Sequence, residues 1–156
     1  MENGRVVRRH RLLLSALALA AVTALLCCGE KGDPVQAALD RMVKAAHDKS
    51  ADAFMENLTG DFAGSDGMTR AEALATVRRY FAAYATLDVT LSGVTVERAE
   101  NVARVRLTAD LAGQPQKVGG LEGLLPRSSR YRFELRLVPD GSRFKVASAS
   151  WEPAGP

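Results

Sequence analysis

The chain has 156 residues, 47% of them hydrophobic and 25% charged, which suits one domain folded round a single core. Its formal charge of +3 sits in the first 27 residues, which hold four arginines against one glutamate; the other basic and acidic residues balance at seventeen each. That balance excludes nucleic-acid binding through overall charge. Cys27 and Cys28 are the only cysteines, so the folded part has no thiol for a disulfide, a thiolate metal site or a cysteine nucleophile.

The N-terminus reads as a targeting segment. Arg8-Arg9-His10-Arg11 precedes an apolar run over residues 12–26, interrupted only by Ser15 and Thr23. A basic region followed by a short apolar one is the plan of a secretory signal, and a spanning helix wants roughly 18 apolar residues. An uncleaved signal anchor is the alternative. Arg8-Arg9 is similar to a twin-arginine export signal, but Arg11 stands where that motif has an apolar residue.

Leu25-Leu26-Cys27-Cys28 resembles the lipobox of bacterial lipoprotein precursors, in which a Leu and two small residues precede the acylated Cys. The resemblance implies lipidation of Cys28, with Cys27 as the alternative, and a lipid-anchored place in the cell envelope facing the periplasm or exterior. Gly29 after the acylated Cys implies outer-membrane sorting if the host has two membranes. Several acyl chains, at about 0.8 kcal/mol per buried CH2, hold a protein stably on a bilayer where one chain does not. On this reading residues 1–27 are the signal peptide, 28–33 are the lipidated Cys and a short tether, and 34–153 are the domain. The four tether residues 29–32 reach at most about 14 Å.

Asp33-Pro34-Val35-Gln36 then opens a helix, with Asp as N-cap, Pro at the first position and Gln three residues after the cap. Val35, Ala38, Leu39, Met42, Val43 and Ala46 make an apolar stripe that predicts a helix over 34–48. Residues 50–58 predict a second, shorter helix, and 59–68, with three Gly and two Asp, a loop. Thr69-Arg70-Ala71-Glu72 is a capping box, and Leu74, Val77, Phe81 and Tyr84 carry its helix to about residue 85.

The period then changes to two. Val89 and Leu91 alternate, and Val94 and Val96 alternate in the opposite phase across Ser92-Gly93, which predicts a β-bulge. Ala103, Val105, Leu107, Ala109 and Leu111 form the core face of the next strand, and 113–129 is a long connection. Tyr131, Phe133, Leu135 and Leu137 alternate with Arg130, Arg132, Glu134 and Arg136, and Pro139-Asp140-Gly141 turns the chain into a last strand. In that strand Phe144 and Val146 lie in one phase and Ala147, Ala149 and Trp151 in the other. The expected fold class is therefore α+β: a curved antiparallel sheet of about four strands packed on two to three N-terminal helices.

With Ala51-Asp52-Ala53-Phe54 after the first helix, the helix over 69–84 and the Asp-Gly-Ser-Arg-Phe-Lys-Val hairpin, the chain resembles the NTF2-like superfamily, which includes SnoaL-like and ketosteroid-isomerase-like proteins. The resemblance covers about 34–153. It implies a cone whose sheet curls round the helices and leaves a pocket at the open end. That fold hosts enzymes, binders and assembly modules alike.

An isomerase of this kind needs a carboxylate base and a hydrogen-bonding acid facing one apolar surface. Asp61 and Asp66 sit in a Gly-rich stretch, Asp88 precedes a strand, and Asp110 shares a polar strand face with Arg104 and Arg106, so no catalytic residue is assigned. His47, the only histidine after residue 10, flanks the end of the first helix, where an imidazolium suits the dipole. No metal site and no cofactor are expected. Tyr80, Phe81, Tyr84, Tyr131 and Trp151 are the candidate pocket residues, and they would serve equally as core. Arg104, Arg106, Arg132 and Arg136, interleaved with Glu97, Asp110 and Glu134, suggest a solvated outer sheet face, or a contact face for a second copy or for anionic head groups. The function expected is a membrane-anchored binding or assembly module for an apolar or lipidic ligand. The alternatives are a small proton-transfer enzyme and a structural dimeric partner of an envelope complex. The partners expected are the membrane, through the acyl chains, a small apolar ligand and a second copy of the chain.

Overall fold

Asp33 caps the first helix as its sequence suggests. Its carboxylate accepts from the Val35 N–H at 3.0 Å, Pro34 takes the first turn, and α1 (Pro34–His47) buries Val35, Ala38, Leu39, Ala45 and Ala46. The structure is a computed structural model that describes residues 32–117 and 125–155. The signal segment, Cys27, Cys28, the tether up to residue 31 and the apolar stretch 118–124 lie outside the described residues. No helix among the described residues is long and apolar enough to cross a membrane.

Ser50 caps the short α2 (Ala51–Met55), accepting from the Ala53 N–H at 3.3 Å. Asn57, a buried polar residue, joins three elements at its end. Its Nδ2 donates to the Ala53 carbonyl at 2.9 Å, its Oδ1 accepts from Arg41 Nε at 3.1 Å, and its carbonyl accepts from the Val146 N–H at 2.8 Å. A buried amide so supplied costs little to desolvate. The capping box forms in full: Thr69 and Glu72 exchange side-chain-to-backbone hydrogen bonds at the start of α3 (Arg70–Ala83).

The sheet has five strands where about four were expected. The extra one is β1 (Leu58–Ala63), followed by a 3-10 turn at Ser65–Gly67, in the stretch predicted as a loop. Its two buried residues, Leu58 and Phe62, stand four apart with Gly60 and Asp61 between them, a spacing that hides strand alternation. β2 (Tyr84–Ala99), β3 (Val102–Pro115), β4 (Ser128–Asp140) and β5 (Arg143–Pro153) follow. The order across the sheet is β1-β5-β4-β3-β2. All neighbours run antiparallel except β1, which pairs parallel to β5 with Leu58 opposite Val146.

Besides a register shift between Tyr84 and Thr86, two bulges interrupt the antiparallel pairs. Between Ser92 and Thr95 the β2 strand spends one residue more than β3, at Gly93 with φ +59°. In β5, Val146 faces Leu137 while Ser148 faces Arg136, so Ala147 is the extra residue. That second bulge resolves the phase conflict in β5 and returns Ala149 and Trp151 to the face of Val146. The inward sheet face and the helices enclose one apolar core, in which Val35, Ala38, Ala103, Val105 and Leu137 have no exposed surface.

Candidate functional site

The core is solid at one end and hollow at the other. Near the start of β3 and the end of β4, α1 lies directly on the sheet, and Arg98 of β2 reaches Asp33 at the head of α1. Towards the start of β2 and the end of β3, the inward side chains face a cavity of about 350 Å³. Along β2 the cavity wall stops at Leu91, seven residues before Arg98, or about 23 Å of strand.

Small side chains explain why this end does not fill. Ala46 on α1, Ala73 on α3, Ala109 on β3 and Ala149 on β5 all line the cavity, where larger residues would close it. Phe133, Leu111 and Val89 also line it and stay only partly buried, because the surface they keep faces the hollow rather than a packed neighbour.

Of the five pocket candidates, Tyr80, Phe81, Tyr131 and Trp151 line this cavity and Tyr84 does not. Tyr84 sits at the junction of α3 and β2 and is only 2% exposed. Its ring packs on Tyr80 with centroids 5.0 Å apart, and its hydroxyl donates to the Pro126 carbonyl at 2.8 Å. Gly113 leaves the space for it, since a Cβ there would come within 2.7 Å of the Tyr84 ring. Tyr84 thus shores up the wall behind Tyr80. Trp151 is held in place by its backbone N–H, which donates to Ser65 Oγ at 3.3 Å, and by Phe133, 6.2 Å away between ring centres.

Met42 and Val43, read from the sequence as part of the first helix's apolar stripe rather than as pocket residues, also line the cavity, as does Thr76, which was not singled out. Inward alanines alone could not have pointed there, since Ala38 and Ala103 are fully buried at the packed end while Ala46, Ala73, Ala109 and Ala149 line the cavity.

Chemically, the wall is nearly inert. None of the 24 described lining residues is Asp, Glu, His, Lys or Arg. The polar groups are the phenols of Tyr80 and Tyr131, the Trp151 indole and the Thr76 hydroxyl. Burial pushes the Tyr80 phenol well above its ordinary range, and the neighbouring Tyr84 and then Tyr131 act in the same direction. Tyr80 is therefore a neutral phenol. The carboxylates weighed from the sequence lie elsewhere. Asp61 and Asp66 are exposed, Asp88 sits 3.7 Å from His47 with both side chains mostly in solvent, and Asp110 pairs with Arg130 at 2.5 Å. Among the described residues no group of three or more His, Cys, Asp or Glu is placed to hold a metal.

The outer sheet face is polar. Arg106 bridges Glu97 at 3.0 Å and Glu134 at 3.3 Å, and Arg132 pairs with Glu152. Arg104 and Arg136, directly opposite one another in the register, take no carboxylate among the described residues.

Solved structures share this architecture. The chain is similar to a provisionally assigned scytalone dehydratase from Novosphingobium aromaticivorans, with a TM-score of 0.67 at 11% identity, over 78% of this chain and 83% of that one. The domain has the NTF2-like fold. A provisionally assigned dehydratase of the NTF2-like family from Streptomyces avermitilis gives a TM-score of 0.66 at 14% identity, over 79% and 96% of the two chains. An NTF2-like protein from Cytophaga hutchinsonii gives 0.62 at 13% identity, over 80% and 99%. No protein-family model matches the sequence, and no curated protein is significantly similar to it.

Proposed function

We propose that this protein is an envelope lipoprotein, anchored through Cys28, whose NTF2-like domain binds a small apolar ligand without transforming it. The observation that carries the binding half is the cavity of about 350 Å³, walled by apolar side chains and, among the described residues, free of any acid, histidine or cation. A concave, largely apolar site with a few convergent polar groups is the usual form of a small-molecule pocket. The polar, ion-paired outer sheet favours ligand binding over assembly through that face, since stable dimer interfaces are apolar at their centre. The test is native mass spectrometry of the full-length chain extracted from membranes. The expected spectrum carries an adduct that organic solvent releases; bare protein throughout would count against the binding reading.

The anchoring half rests on the sequence at residues 25–28 and is tested separately. Palmitate labelling should be lost when Cys27 and Cys28 are both replaced by Ser, and a double variant that still takes up label overturns it.

A second reading, proton transfer on a bound substrate, is favoured by the dehydratase descriptions of two structural neighbours. It would leave Tyr80 and Tyr131 as the acid–base groups among the described lining residues. Neutral phenols at ordinary pH are weak bases, so this reading asks more of the site than binding does.

A further inference from the structure

We infer that the cavity accepts only uncharged ligands, and that it seats one terminal hydroxyl or carbonyl oxygen against the phenols of Tyr80 and Tyr131. This rests on the ligand-binding reading above and adds to it the ligand's charge class and the residues that set it.

Charge selection follows from what the wall lacks. A carboxylate or phosphate brought into the hollow would leave water without a cation to meet it, and burying an unpaired charge is among the costliest changes in a protein. Cations close in sequence to the wall are either engaged or, like Arg79 and Arg136, exposed and absent from the described lining residues. Lys49 Nζ donates to the Tyr84 carbonyl at 2.8 Å, Arg130 is held by Asp110, and Arg132 by Glu152. An amine fares no better, because none of the described lining residues is acidic.

Oxygen recognition follows from the tyrosines. Tyr84 has committed its proton to the Pro126 carbonyl, whereas the Tyr131 hydroxyl has no hydrogen-bond partner among the described residues. Tyr80, kept neutral by burial and lying beside Tyr84, lines the same cavity. A phenol both donates and accepts, so the pair satisfies an alcohol or a carbonyl equally well. At ~30 Å³ per water- or methylene-sized group, the volume suits about a dozen non-hydrogen atoms. The ligand class is thus a medium-chain or ring alcohol, aldehyde or ketone.

Trp151 is the only tryptophan of the chain and lies in the cavity wall, so its fluorescence reports occupancy without a label. The experiment titrates the full-length chain in lipid nanodiscs with 1-decanol and with decanoate, free concentrations being corrected against protein-free nanodiscs. The expected result at pH 8 is saturable binding of decanol and binding of decanoate at least about 100-fold weaker. Decanoate should gain affinity as the pH falls towards the carboxyl range of about 4–5, since only the neutral acid enters. The Tyr80→Phe, Tyr131→Phe double variant should bind decanol about 10-fold more weakly, with its unfolding midpoint and its ligand-free Trp151 emission unchanged. Equal binding of alcohol and carboxylate at pH 8, or a double variant that binds decanol as before, overturns the inference while leaving the cavity a ligand site. If neither compound binds at any pH, the binding reading fails and this inference with it.

Discussion

The two ends of this domain are built from the same strands with the same alternation, yet one is packed solid and the other is empty. On β3, Ala103 and Val105 are wholly buried, while Leu111, at the far end of the same inward row, is only partly so. On β4, Leu137 has no exposure, while Phe133 and Tyr131 keep surface that faces the cavity. The difference lies in what covers the sheet. Val35 and Ala38 of α1 lie on it at the solid end, whereas at the other end the alanines of α1, α3 and β5 leave the space open. Tight packing thus resides at one end of the cone and open volume at the other.

The sharpest break in that comparison is a pair of truncations. Leu137→Ala at the packed end should cost about 2–5 kcal/mol in urea unfolding, because it removes buried methyl groups and leaves a void. Leu111→Ala, which enlarges an existing hollow, should cost about 1 kcal/mol or less. Equal losses at the two sites would mean that the ends are packed alike.

Enlarging side chains sharpens the contrast. Ala103→Leu should destabilise by about 1–3 kcal/mol, since the packed end has no room for three more carbons. Ala149→Leu should leave the unfolding midpoint unchanged or raised, and should weaken ligand binding at least about tenfold by filling the cavity. A large stability loss from Ala149→Leu would contradict the hollow.

The smallest expected effect belongs to the ion pair that closes the solid end. Arg98, and then the Val35 N–H, hold the Asp33 carboxyl below its ordinary range. A group whose folded pKa is depressed adds stability above its unfolded value, near pH 4, and loses that stability as the pH falls through the folded value. Both side chains are substantially exposed, so the contribution is under about 1 kcal/mol. Asp33→Asn keeps an N-cap but removes the charge, and it should flatten the acid limb of the stability–pH curve below about pH 4. A curve superimposable on that of the parent chain would show that the pair contributes nothing.

The elements with sharp local chemistry were legible in the sequence. The capping box at Thr69 and Glu72, the cap at Asp33 and Pro34, the alternation along β3 and β4, and the bulge at Gly93 each reflect forces acting within a few residues. β1 was not legible, because its pairing with β5 is non-local and Gly60, Asp61 and Gly64 give it the composition of a loop. Alternation also identified which residues face inward without telling a filled interior from a hollow one. Tyr84 illustrates the limit: its stripe position matches that of Phe81, and only the strand bend at the end of α3 and the close approach of Gly113 turn its side chain behind the wall. Trp151 needed the bulge at Ala147 to settle its side.

The claim on which the rest depends is that ligand enters the hollow end. Photolabelling the full-length chain in lipid nanodiscs with a neutral diazirine-bearing alcohol, followed by peptide mapping, tests it directly. Label should appear on peptides containing Tyr80, Tyr131 or Trp151 and be competed away by unlabelled 1-decanol. Label confined to peptides of the packed end and outer face, such as those carrying Arg98 and Arg104, or label that decanol does not displace, would contradict the account.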